Sequence, residues 1–118
     1  MEVSNGMSRF LVTGGAGFIG SHIVDTLVRK KQIVRVLDNF SSGREKNLKE
    51  VIDKIELIRG DIRALNTCVR ATRDIDFVLH QAALRSVPKS MQNPKEYHEV
   101  NINGTLNMLE AALKNKVK

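Results

Sequence analysis

The run Arg9-Phe10-Leu11-Val12-Thr13-Gly14-Gly15-Ala16-Gly17-Phe18-Ile19-Gly20 constrains this chain more than any other stretch. Apolar, strand-forming residues lead straight into a cluster of glycines, and Ile19, Ile23, Val24, Leu27 and Val28 then recur at helical spacing. A strand, a tight turn and a helix are expected in that order. The glycines serve three needs: a turn too sharp for a side chain, a backbone that approaches a pyrophosphate, and a helix that presses on its strand. Gly14, Gly17 and Gly20 have the spacing for these roles. The helix starting near Phe18 would aim its free N–H groups and positive dipole end at phosphates without needing a basic side chain.

A second apolar run, Ile33-Val34-Arg35-Val36-Leu37, ends in Asp38, about 20 residues further on, where a dinucleotide fold places an acidic residue. The Asp38 carboxylate can take the hydroxyls of an adenosine ribose; its other reading is a capping or turn residue. The loop Asn39-Phe40-Ser41-Ser42-Gly43 must then lie beside that ribose. A short charged helix is expected over 44–53, and a third strand over 55–58. Asp61 and Ile62 leave this strand at the level of an adenine. Asp61 either contacts the adenine amino group or caps the following turn.

Leu65, Cys68 and Val69 mark one side of a helix over 65–72, and Asp76-Phe77-Val78-Leu79-His80 reads as the fourth strand. Gln81-Ala82-Ala83 puts small residues where backbone must pass the pyrophosphate and second ribose. His80 reads as a packed strand end rather than a catalyst, because no acid or nucleophile stands beside it in sequence. The longest helix is expected over 94–116, with Pro94 in its first turn and Val100, Leu106, Leu109, Ala112 and Leu113 as its buried stripe. Gly104 inside it costs about 1 kcal/mol relative to alanine, so close approach to another backbone is expected there.

Strand and helix alternate four times, which predicts an α/β domain: a Rossmann-like, doubly wound parallel sheet of four strands in the order 3-2-1-4, with helices on both faces. Residues 1–8 are expected to be a flexible leader and residues 9–118 a single dinucleotide-binding domain that stops where a fifth strand would begin. Scattered lysines and arginines and only 4% aromatics argue against nucleic acid despite a net charge of +6. No apolar run reaches bilayer length, and the N-terminus has neither basic flank nor hydrophobic centre, so no membrane partner and a cytoplasmic location are expected. Cys68 is the only cysteine and is read as core. No metal site is expected.

Thr13-Gly14-Gly15-Ala16-Gly17-Phe18-Ile19-Gly20-Ser21-His22, Asp38-Asn39-Phe40-Ser41-Ser42-Gly43, Gly60-Asp61-Ile62, His80-Gln81-Ala82-Ala83 and Asn101-Ile102-Asn103-Gly104-Thr105 resemble motifs of the extended short-chain dehydrogenase/reductases. Within them the chain is most similar to NAD-dependent nucleotide-sugar 4-epimerases, of the UDP-glucose or UDP-N-acetylglucosamine kind. The resemblance implies NAD as cofactor, with Gly14, Gly17, Phe18 and Ile19 on the pyrophosphate, Asp38 and Asn39 on the adenosine ribose, Asp61 and Ile62 on the adenine, and Ala82 and Ala83 on the central part. Ser86 and Val87 match the stretch that reaches the sugar, although Ser86 reads equally well as a loop hydroxyl.

The family's catalytic base is a tyrosine with a lysine four residues later, helped by a serine or threonine. The only tyrosine here is Tyr97, followed at that distance by Asn101, so Tyr97 is read as structural and no catalytic residue is assigned. The expectation is the NAD-binding, N-terminal portion of a nucleotide-sugar epimerase or dehydratase, inactive alone, taking a nucleotide sugar only with a C-terminal half. Its unpaired sheet edge would suit self-association or a complementing fragment. The alternatives are a non-catalytic dinucleotide-binding or interaction module, and an inert truncated gene product.

Overall fold

The computed structural model describes residues 7–84 and 87–118. Strands β1 (Arg9–Thr13), β2 (Ile33–Asp38), β3 (Glu56–Arg59) and β4 (Phe77–His80) form one parallel sheet in the order β3-β2-β1-β4. The predicted order is therefore the observed one. Register pairs Thr13 with both Leu37 and His80, so the ends of the three strands that carry the site lie level.

Successive strand residues face opposite sides of the sheet, and the apolar runs fill both. Leu11 and Leu37 pack with Ile62, Cys68, Ala71, Met108 and Ala111 on one face, under α2 (Leu65–Ala71) and α5 (Thr105–Lys114). Val12, Val34 and Val36 pack with Val24, Leu48 and Val51 on the other, under α1 (Phe18–Arg29). Phe10 and Phe77, paired across β1 and β4, place their rings 5.3 Å apart.

Several expectations need correction. The charged segment 44–53 is two short 3-10 turns, Glu45–Leu48 and Ile52–Lys54, which sink Leu48 and Val51 into the core without completing an α-helix. Ser8, just before β1, donates its N–H to Gln32 Oε1 at 2.7 Å, and its carbonyl accepts from Ile33 N–H at 3.0 Å. The long C-terminal helix is broken into α4 (Pro94–His98), a π-helical turn (Glu99–Gly104) and α5, and a short helix, α3 (Val87–Gln92), precedes it.

The buried face of this last segment also differs from the expected one. Leu106, Leu109 and Leu113 are exposed, whereas Val100, Gly104, Met108 and Ala111 are buried. The smallest side chains of this segment let it lie close to its neighbours. At Gly104 the neighbour is a side chain rather than the backbone expected: a Cβ would stand 2.5 Å from Ile62 Cδ1. No helix of the described residues is long and apolar enough to cross a membrane, and they hold no group of three potential metal ligands.

Candidate dinucleotide cleft

The site is built from the turn after β1. Gly14 adopts φ +68°, a left-handed conformation that costs a Cβ-bearing residue, and a Cβ there would stand 2.8 Å from Ala82 N. Gly20 presses α1 onto the same turn: its Cβ would lie 2.1 Å from Gly14 O. Gly17 differs from both. As the N-cap of α1 it has an ordinary extended backbone (φ −76°, ψ 175°), and the nearest atom to an added Cβ is Gly14 O at 3.3 Å.

Ser21 N–H is the first in α1 to find a carbonyl four residues back, that of Gly17, at 2.9 Å. The amides of Phe18, Ile19 and Gly20 therefore precede the helical ladder, and no side chain caps the end. Their residues line a cleft of about 440 Å³, the size of a small-molecule site.

From β2, Asp38 enters the cleft 7% exposed. Its Oδ2 accepts Ala16 N–H at 2.9 Å and its Oδ1 accepts Phe40 N–H at 2.7 Å, so it fastens the glycine turn to the loop after β2. The capping reading is thus real. A carboxylate has about four acceptor positions, so the two bonds leave capacity for two ribose hydroxyls. Asn39, Ser41, Ser42 and Gly43 continue the wall. Asn39 Oδ1 accepts Ser41 N–H at 3.0 Å, and Phe40, at φ 61°, carries the guanidinium of Arg59 4.5 Å over its ring.

Asp61 and Ile62 close the far end. Asp61 Oδ1 accepts the backbone N–H of Arg63 at 2.9 Å, while Oδ2 accepts Arg63 Nη2 at 2.7 Å and Asn39 Nδ2 at 3.3 Å. The hydrogen-bonded guanidinium of Arg63 lowers the pKa of Asp61 below the usual carboxylate range, despite some opposing desolvation. An adenine amino group would have to share or displace one of these donors.

The opposite wall is Gln81, Ala82 and Ala83 after β4. Thr13 Oγ1 accepts the N–H groups of Gln81 (3.0 Å) and Ala82 (3.1 Å), and it stands 2.6 Å from His80 Nδ1. His80 Nε2 lies 3.0 Å from Thr105 Oγ1. Asn101 holds the next residue at both backbone groups, accepting Leu84 N–H at 2.7 Å and donating to Leu84 O at 2.8 Å.

All fifteen residues expected to contact a cofactor thus converge on one cleft. Ser86 lies outside the described residues, and Val87 begins α3. Sequence reasoning missed Leu37, Gly60, Leu84, Lys89, Tyr97 and Val100 on the lining. Lys89 and Tyr97 arrive on α3 and α4, elements of six and five residues, too short for periodicity to announce a face. Asn101, four residues after Tyr97, is occupied by Leu84. Cys68 is buried away from the cleft, donates to Ile62 O at 3.3 Å, and has its pKa pushed up to about 11 by burial.

The cleft has what a dinucleotide requires: amides at a helix start, glycines where a Cβ would intrude, and a nearly buried carboxylate with lone pairs to spare. A sequence model of the NAD dependent epimerase/dehydratase family matches residues 10–118. UDP-N-acetyl-alpha-D-glucosaminuronate decarboxylase of Bacillus cytotoxicus is 41% identical over 110 residues, which are 93% of this chain and 34% of that protein. dTDP-glucose 4,6-dehydratase of Mycobacterium tuberculosis is 38% identical over 113 residues, with the same two shares, 93% and 34%. Among solved structures, the UDP-glucose 4-epimerase of Thermus thermophilus in complex with NAD superposes with a TM-score of 0.86 at 44% identity, over 93% of this chain and 35% of that one. The chain spans about one third of the length of these relatives.

Proposed function

Because the chain belongs to the NAD dependent epimerase/dehydratase family, we propose that its cleft binds NAD and that it supplies the cofactor-binding portion of a nucleotide-sugar epimerase of the UDP-glucose or UDP-N-acetylglucosamine kind. The observation that carries this reading is the convergence, on one cleft, of the α1 N-terminus and the Asp38 carboxylate, which hydrogen-bonds to Ala16 N–H in the turn between them. The amides of Phe18 and Ile19 would hold the pyrophosphate, Asp38 the adenosine ribose, and Ile62 and Asp61 the adenine. NAD when bound supplies the hydride acceptor; this chain's residues bind and orient it.

The chain alone is not expected to turn over a sugar. Oxidising a sugar hydroxyl requires a base at the same carbon that loses hydride, and the sequence holds one tyrosine with an asparagine, not a lysine, four residues on. The complementing partner is a segment of the kind that makes up the rest of the relatives. Its docking surface is the outer edge of β4, which no described strand pairs.

Epimerisation of UDP-glucose is the test, assayed with the chain alone and after mixing with a separately expressed C-terminal segment of a UDP-glucose 4-epimerase. The expected result is no turnover from the chain and measurable turnover from the mixture. Turnover by the chain alone would reveal a base that this reading lacks, and an inactive mixture that nonetheless associates would favour a non-catalytic binding module.

A further inference from the structure

We infer that His80 is a positioning residue for the cofactor cleft, fixed as the neutral Nε2–H tautomer, and that it acts by taking the hydroxyl proton of Thr13. This inference deepens the proposed function and rests on it. A threonine hydroxyl has one proton to give and two lone pairs to receive with. At Thr13 one lone pair takes Ala82 N–H at 3.1 Å and the other faces Gln81 N–H at 3.0 Å, a proton that Gln81 shares with the Thr13 carbonyl, also at 3.0 Å. Its remaining proton faces His80 Nδ1 at 2.6 Å, so that nitrogen must be an unprotonated acceptor.

The ring proton then belongs on Nε2, which stands 3.0 Å from Thr105 Oγ1. Thr105 can receive it because its own hydroxyl donates to Asn101 O at 2.8 Å. The bonds from the Ala82 amide through Thr13, His80 and Thr105 to the Asn101 carbonyl thereby run in one consistent direction, and each polarises the next. The opposite tautomer would press an N–H onto an oxygen that already accepts two and leave the Thr13 proton without an acceptor.

The consequence lies in the wall of the cleft. Thr13 is fully buried at the end of β1, one residue before the glycine turn, and its oxygen holds Gln81 and Ala82 on the opposite side. The two walls meet so closely that a Cβ on Gly14 would be 2.8 Å from Ala82 N. An acceptor at position 80 keeps both Thr13 lone pairs free for that wall. Without it, the hydroxyl proton competes for the same space and the spacing between turn and wall is lost.

Nitrogen-15 spectra of the imidazole rings, with His80 assigned by its disappearance in a variant, test the tautomer without any cofactor. A protonated Nε2 and a bare Nδ1 are expected; a ring protonated at Nδ1, or averaged between the two forms, would overturn the inference. Calorimetric titration with NAD tests the role. His80→Leu and Thr13→Val are expected to weaken binding by about tenfold or more. Thr13→Ser, which restores the hydroxyl, and His80→Asn, which restores an acceptor oxygen, are expected to stay within about threefold of the parent. His80→Leu binding like the parent would sink the positioning role, and if that variant does not fold, the contrast between Thr13→Val and Thr13→Ser decides. A parent chain that shows the Nε2–H ring but binds no NAD would overturn the cofactor reading itself, and the positioning role with it.

Discussion

Replacing Gly17 with valine is expected to abolish NAD binding and leave the fold standing. Gly17 needs no glycine for its backbone: φ −76° and ψ 175° are open to any residue, and the nearest obstacle to a Cβ is Gly14 O at 3.3 Å. What the residue cannot spare is the space in front of it. It lines the cleft at the start of α1, where the amides of Phe18 and Ile19 must come within hydrogen-bond distance of phosphate oxygens. Two methyl groups there would hold the pyrophosphate off. Losing two charge-assisted hydrogen bonds of about 1.5–3 kcal/mol each weakens binding by about 100-fold or more. Calorimetry reads the loss, and a melting temperature within about 5 °C of the parent shows that the fold survives. Unchanged affinity would mean that the glycine turn does not face the phosphates.

Gly20→Ala is expected to do the reverse, destabilising the fold together with the site. Within a helix, glycine to alanine ordinarily stabilises by about 1 kcal/mol. Here the new methyl would lie 2.1 Å from Gly14 O and 2.9 Å from Gly15 Cα, both backbone atoms. Neither can retreat. Gly14 already holds a left-handed conformation hard against Ala82, so α1 must lift from the sheet and uncover Val24. Overpacking of this severity costs about 3 kcal/mol or more, and for a domain this small each kcal/mol lowers the melting temperature by about 4–8 °C. A thermal melt is the check, with a drop of at least about 12 °C expected. A melting temperature equal to or above the parent's would show that helix and turn are not in contact as described.

These two glycines also mark how far the sequence can be read. The turn was legible because its residues answer to local rules: a positive φ, a close approach and a helix start leave glycines at set spacings. The strands were legible for a similar reason, since runs such as Ile33–Leu37 must be apolar on both faces when helices cover both. What was not legible depended on partners distant in sequence. The C-terminal helix offers a leucine face and a face of Val100, Gly104, Met108 and Ala111, and hydrophobicity favours the leucines. Burial went to the other face because Gly104 there lets the helix approach Ile62. The double duty of Asp38 was equally hidden: sequence posed ribose contact and capping as alternatives, but a carboxylate has acceptors enough for both. Thr13 gave no sign of being a hub, because its partners at 80, 81 and 82 come beside it only through the β1–β4 pairing.

The most direct measurement of the central claim is a paired calorimetric titration of the purified chain with NAD and with NADP. Asp38 is nearly buried at the position proposed for the adenosine ribose, so its carboxylate would accept from two free hydroxyls and repel a phosphate on either. The account predicts saturable binding of NAD, and binding of NADP weaker by about tenfold or more. Equal or tighter binding of NADP, or no binding of NAD at all, would contradict it.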